Sequence, residues 1–335
     1  MNKILPVFLP FTACGNKCIF CDQNAITNTK IETNILQSAI NQIEKWFSYS
    51  DKYDEIAFYG GNFGAIDKKN RKEFYNLASR YGIKNIRFST RVDTINNDLI
   101  EEIDKFKINF VELGVQSLDD KVLRDNIRPY NKSDVFLSIE ELNKVTNCGI
   151  QLMTDMYSQN KFSAISDALL LSELDIKTVR IYPTQVYKNT QLYNLYKLGL
   201  YKESNFIDTL LTVTSMYIIF SSKNIKVIRI GLPLEAIDNP DRVAGIYHNS
   251  MGDLVKTLVV LLYFESGNTC KFYGYKGIVR ELFKNKFPFD DKNNNIDFNE
   301  ICKIVRSKYL EDSKWFFESK ANFFAEKLKS KTYNR

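Results

Sequence analysis

The chain has 335 residues, 44% of them hydrophobic and 13% aromatic, enough to bury a sizeable core in one large domain or in one domain with an appendage. Lysine and arginine number 46 against 40 aspartate and glutamate, a mild basic bias and no nucleic-acid signature, while the lone histidine, His248, excludes any metal or catalytic scheme built on several imidazoles. The longest apolar stretch, LVVLLYF at 258–264, is far short of the roughly 18 residues of a membrane span, and no small-residue cleavage site follows the N-terminal apolar run; a cytoplasmic protein is expected.

In chain order, ILPVFLPF (4–11) reads as a first strand. The next stretch, FTACGNKCIFCDQN (11–24), gathers Cys14, Cys18 and Cys21, half of the six cysteines. Cys148, Cys270 and Cys302 are scattered singly, which argues against a disulfide framework. A structural zinc site wants four ligands, commonly two C-x-x-C pairs or a pair with histidines; this segment offers one C-x-x-C, one further cysteine and no histidine. Three thiolates are the set used by an iron–sulfur cluster that leaves one iron open. An open iron can hold a substrate or cofactor directly.

The following segments alternate. IETNILQSAINQIEKWF spaces Ile31, Ile35, Ile40, Ile43 and Phe47 at helical intervals, and EIAFYGGNF reads as a buried strand ending in a glycine turn. Helix KNRKEFYNLASRYGI, strand NIRFSTRVDTI, helix NDLIEEIDKFKI and strand FVELGVQSL come next, then helix VFLSIEELNKVTNCG, strand IQLMTDMY, helix FSAISDALLLSELD and strand TVRIYPTQVY. Six strands, each followed by a helix, predict a parallel sheet with right-handed crossovers. The fold class expected is α/β, a partial (β/α)6 TIM-type barrel, in which function sits on the loops after the strands. The cysteine loop, GGN, STR and GVQS all fall at such strand ends.

Beyond residue 190 the alternation weakens. LYNLYKLGLY and SNFIDTLLTVTSMYIIFSSKNI look helical and lead into strand KVIRIGLPLE. The expected division is a barrel over 1–240 and a mostly helical C-terminal extension over 241–335, with a polar linker at 290–297 and a last helix bearing Phe316, Phe317, Phe323 and Phe324.

The spacing C-x-x-x-C-x-x-C, with Phe20 before the last cysteine, resembles the signature of the radical S-adenosylmethionine (SAM) superfamily. PVFLPFTACGNKCIFCDQ, IAFYGGNF, IRFSTRVDTI, VELGVQSLDDKVL, VRIYPTQVYKNTQLYNLYKLGLY, VIRIGLPLE and VAGIYHNSMGDLV together resemble bacterial radical enzymes similar to the catalytic subunit of Elongator but lacking its acetyltransferase domain. That resemblance implies a 4Fe-4S cluster on Cys14, Cys18 and Cys21 whose open iron is chelated by SAM. Reductive cleavage then gives a 5′-deoxyadenosyl radical that abstracts hydrogen from a substrate. It also implies that Gly60 and Gly61 reach the cofactor amino group, with Asn62 standing where relatives carry an acid.

Alternation puts Ser89 and Arg91 on one side of their strand, and Arg91 in a barrel mouth suits the cofactor carboxylate. Glu112 and Gln116 are candidates for the ribose hydroxyls, Gln116 the better placed, and Arg180 is a further candidate for the mouth. Tyr182 and His248 are the candidate catalytic residues, with Tyr247 an equally plausible substrate contact. Where relatives carry a glycine–histidine pair this chain has NIRPYNKSD, and no proline follows His248. An external electron donor such as flavodoxin or ferredoxin is implied. A tRNA base is one substrate class and a small molecule or peptide another; a non-catalytic iron–sulfur redox sensor or RNA-binding protein is the alternative of a different kind.

Overall fold

The structure is a computed structural model that describes residues 3–9, 13–15, 17–27, 34–267, 298–310 and 320. The polar stretch at 290–297, Cys270 and the aromatic C-terminal helix lie outside the described residues. Strands β1 (Ile4–Phe8), β2 (Glu55–Tyr59), β3 (Asn85–Arg91), β4 (Phe110–Gln116), β5 (Asn147–Thr154) and β6 (Thr178–Pro183) pair in sequence order, all parallel. Short helices and turns separate them: α1 (Gln23–Thr27), α2 (Ile35–Phe47), α3 (Lys68–Arg80), α4 (Asn97–Lys105), α5 (Asp120–Asp125), α6 (Lys132–Asn143) and α7 (Lys161–Leu171).

After β6 come a two-residue strand β7 (Val186–Tyr187), α8 (Gln191–Lys197) and the long α9 (Phe206–Ser222). Strand β8 (Lys226–Ile230) then pairs parallel with β6, so the partial barrel has seven strands in the order β1-β2-β3-β4-β5-β6-β8. The sequence reading recognised this last strand but counted only the six before residue 190 in the barrel. The long insertion of β7, α8 and α9 between β6 and β8 hides the seventh repeat.

Strand β4 is buried along its whole length, as a central parallel strand covered on both faces must be. The helices start on side-chain caps: Asn34, Asp67, Asn96, Asn131 and Asn160 each accept a backbone N–H of the first turn, which satisfies donors the helix itself cannot. Helix α9 is buried from Thr209 to Ser222 because further helices cover it as well as the sheet. After α10 (Leu234–Ile237) and β9 (Arg242–Ala244), which pairs with β7, helices α11 (Met251–Glu265) and α12 (Phe298–Tyr309) pack on α9. Among the described residues no helix is long and apolar enough to cross a membrane.

Candidate functional site

The strand ends surround a cavity of about 1110 Å³. Cys14, Cys18 and Cys21 all line it, with Phe20 between the last two. The loop that carries them begins with Ala13 at φ +55°, a left-handed conformation costly for a residue with a Cβ, and closes with the Cys21 N–H donating to the Cys18 carbonyl at 3.1 Å. Cys18 and Phe20 are buried and belong to a small apolar cluster with Val122, Met153, Met156 and Leu192. The Leu192 N–H, in the first turn of α8, donates to the Ile19 carbonyl at 2.8 Å. The inserted helix therefore clamps the cysteine loop.

Burial pushes the Cys14 and Cys21 thiols above the ordinary range, and the negative charge of the neighbouring thiols pushes Cys21 further. Cations beside these two thiols act in the opposite sense. Arg128 supplies one: 6% exposed, it donates to Cys18 Sγ at 3.0 Å, to Tyr130 Oη at 2.7 Å and to the Gly114 carbonyl. No three His, Cys, Asp or Glu side chains among the described residues are gathered for a single metal ion.

Gly60 and Gly61 line the same cavity, at φ +77° and +62°. Two consecutive residues at positive φ need glycine, and a Cβ on Gly60 would lie 3.4 Å from the Leu9 backbone. The Gly61 N–H is already donated to Gln23 Oε1 at 2.7 Å, which leaves the turn's carbonyls as its groups for a ligand. Asn62 is off the lining. Its Oδ1 accepts from the Thr90 hydroxyl at 2.7 Å and from the Arg91 N–H at 3.0 Å, which makes it a brace between the β2 turn and the end of β3. Its departure from the acid of relatives already puts a side-chain contact with a cofactor in question, and here the side chain faces the strand ends and not the cavity.

Ser89 lines the cavity and accepts from Gln151 Nε2 at 3.3 Å. Arg91 also lines it, but its Nε and Nη2 grip Asp93 at 2.8 and 2.6 Å; the carboxylate it pairs with comes from its own chain. Gln116 sits at φ +68°, where the β4–β5 register shifts, and its buried Oε1 has no hydrogen-bond partner among the described residues. A buried acceptor without a donor is costly, and this one belongs to a residue of the cavity wall.

The floor is a charge knot. Glu112, 1% exposed, receives Arg180 through Nε at 2.6 Å and Nη2 at 3.0 Å, Arg87 at 3.4 Å and the Tyr59 hydroxyl at 3.2 Å. Burial alone would lift the Glu112 carboxyl, but Arg180 and Arg87 outweigh it and hold it below the usual carboxylate range. Glu112 is thus spoken for by arginines and is not a ribose ligand. Arg180 touches the cavity while committed to Glu112 and Tyr59. Tyr182 is on the wall. His248 is not: its Nδ1 accepts the Ser250 N–H at 3.0 Å ahead of α11, beside Phe206, and burial lowers its pKa. That local turn replaces the cavity contact expected of a catalytic candidate.

Arg128, Arg229 and Gln23, all on the lining, escaped the sequence reading. Arg128 lies in NIRPYNKSD, a segment examined for its missing histidine and passed over for its arginine.

Comparison with known proteins bears on this cavity. The Radical SAM superfamily model matches residues 8–160 and the Radical_SAM C-terminal domain model matches 176–259. The chain belongs to the radical SAM superfamily. Its three cavity thiols, orphaned Gln116 acceptor and paired glycines fit an iron–sulfur cluster with SAM. This radical SAM chain is 26% identical over 200 residues to an uncharacterised protein of Methanocaldococcus jannaschii, covering 55% of the chain and 61% of that protein. It is 24% identical over 221 residues to the heme chaperone HemW of Buchnera aphidicola, covering 63% and 58%. The chain thus spans about three-fifths of these curated relatives. Among solved structures, archaeal Elp3 of Methanocaldococcus infernus superposes with a TM-score of 0.57 at 18% identity, over 81% of this chain and 65% of that one; it shares the fold.

Proposed function

We propose that Cys14, Cys18 and Cys21 hold a 4Fe-4S cluster whose open iron takes SAM, and that the protein abstracts hydrogen from a substrate in the same cavity. The observation that carries this reading is the convergence of three thiols, the Gly60–Gly61 turn and Gln116 on one cavity of about 1110 Å³, more than the 300–1000 Å³ typical of a single drug-sized ligand. The cluster and SAM, when bound, supply reductive cleavage to a 5′-deoxyadenosyl radical, and the protein contributes binding, orientation and exclusion of water.

Arg128 holds Cys18 in place and offsets thiolate charge. Phe20 and the apolar cluster under α8 keep water from the cysteine loop. The Gly60–Gly61 carbonyls receive an ammonium, and Gln116 Oε1 accepts a hydroxyl. The closed knot of Glu112, Arg180, Arg87 and Tyr59 seals the floor. A flavodoxin or ferredoxin supplies the electron, and a tRNA base is the substrate class that the likeness to Elongator favours. The unbridged thiol of buried Cys148 suits the cytoplasm.

The test is anaerobic reconstitution with iron and sulfide, addition of SAM and dithionite, and mass spectrometry for 5′-deoxyadenosine. Its formation is the expected result. A cluster that assembles without any cleavage, with or without candidate substrates, would transfer support to a redox-sensing role.

A further inference from the structure

Strands β6 and β8 place Arg180 and Arg229 as direct neighbours in the ladder, and both line the cavity. Their circumstances differ. Arg180 is neutralised by Glu112 at 2.6 Å, and Arg87, on β3 and off the cavity lining, is shared between Glu55 at 2.9 Å and Glu112 at 3.4 Å. Arg229 is half-buried and forms no hydrogen bond or ion pair among the described residues. Glu55 and Glu112 pair with Arg87 and Arg180, and Glu235, the carboxylate on the cavity lining, forms no ion pair with Arg229 among the described residues.

A partly desolvated guanidinium next to a second one is unfavourable until an anion arrives, and the planar fork of arginine suits carboxylate or phosphate. The cations that act on the cysteine thiols are Arg91, Arg128 and Lys17, carried by β3, the segment between α5 and α6, and the cysteine loop. Arg229 belongs to the other edge of the sheet, where Tyr182, Leu232, Pro233 and the acidic Glu235 complete the wall. We propose that Arg229 is a substrate anchor, and that the substrate carries an anionic group, carboxylate or phosphate, which it binds. This inference rests on the reading that cofactor and substrate share the cavity.

The experiment titrates reconstituted protein by calorimetry with inorganic phosphate in one arm and succinate in the other, for wild type, Arg229→Gln, Arg229→Lys and the remote charge control Lys144→Gln. One charge-assisted fork is worth tenfold or more in affinity. Wild type and Lys144→Gln should bind at least one anion equally, Arg229→Gln about tenfold or more weakly, and Arg229→Lys in between. The arm that responds tells phosphate from carboxylate. SAM affinity and substrate-free 5′-deoxyadenosine formation should stay within about twofold of wild type in Arg229→Gln. The proposal is overturned if neither anion binds wild type, if Arg229→Gln binds as well as wild type, or if that variant loses SAM affinity, which would make Arg229 a cofactor contact. Absence of 5′-deoxyadenosine from wild type alongside Arg229-dependent anion binding would instead sink the functional reading and leave the anion site standing.

Discussion

Substituting Glu112 by glutamine removes one charge and almost no volume, and so isolates the electrostatics of the barrel floor. The carboxylate is 1% exposed and takes two bonds from Arg180, at 2.6 and 3.0 Å, and one contact from Arg87 at 3.4 Å. Glutamine can accept from one of these donors but leaves buried guanidinium charge with Glu55 as its remaining carboxylate. Breaking a buried ion pair by removing one partner costs about 3–5 kcal/mol. With an unfolding entropy near 2.1 cal/mol/K per residue, a chain of this size loses roughly 1.4 °C per kcal/mol, so Glu112→Gln should lower Tm by about 4–7 °C.

The pH dependence has a definite sign. Because the folded pKa of Glu112 is depressed, its contribution is present above the ordinary carboxylate value of about 4.3 and lost as pH falls through the lower folded value. Differential scanning calorimetry at pH 7 and pH 4 should therefore show a difference between wild type and variant that narrows in acid. A variant as stable as wild type at pH 7, or a gap that widens in acid, would refute the knot and return Arg180 to the list of available ligands.

Other outcomes follow from the same geometry. Arg128→Met should cut iron incorporation several-fold on reconstitution, because Cys18 loses its 3.0 Å donor, with circular dichroism confirming that the chain is folded; undiminished iron would show that the contact is incidental. Cys14→Ala, Cys18→Ala and Cys21→Ala should each abolish SAM cleavage while Cys148→Ala, buried in β5 and away from the cavity lining, leaves it near wild type; equal loss in all four would contradict the ligand assignment. Asp167 is buried against Ser117 and its carboxyl is pushed up to about 6. The folded chain thus holds a proton that the unfolded chain gives up near pH 4, and stability falls as pH rises between those values. Asp167→Asn should gain roughly 2–3 kcal/mol relative to wild type in urea denaturation at pH 7.5 and little at pH 4; a gain at pH 4 alone would contradict this.

The parallel order was legible because each inner strand is a short apolar run closed by a turn residue and followed by an amphipathic segment. Parity along FSTRVD puts Ser89 and Arg91 on one side and Thr90 on the other, yet all three line the cavity, because the strand ends there and its last residues turn into the mouth. Parity does not reveal partners. Whether Arg91 meets a ligand or Asp93 depends on a turn two residues away, and whether Arg180 is available depends on Glu112, 68 positions earlier. Asn62 was assigned by the place it occupies in a motif, whereas its hydrogen bonds to Thr90 and Arg91 depend on how two strands end. Arg128 lies between α5 and α6 in a segment without periodicity, so nothing local marks it as the donor to a cysteine 110 positions away.

The most direct measurement is electron paramagnetic resonance of the reconstituted, dithionite-reduced protein with and without SAM, alongside metal analysis. The account predicts about four irons per chain and a reduced-cluster signal that changes shape when SAM is added, in wild type and Cys148→Ala but not in Cys18→Ala. Zinc in place of iron, or a reduced cluster whose signal is indifferent to SAM, would contradict it.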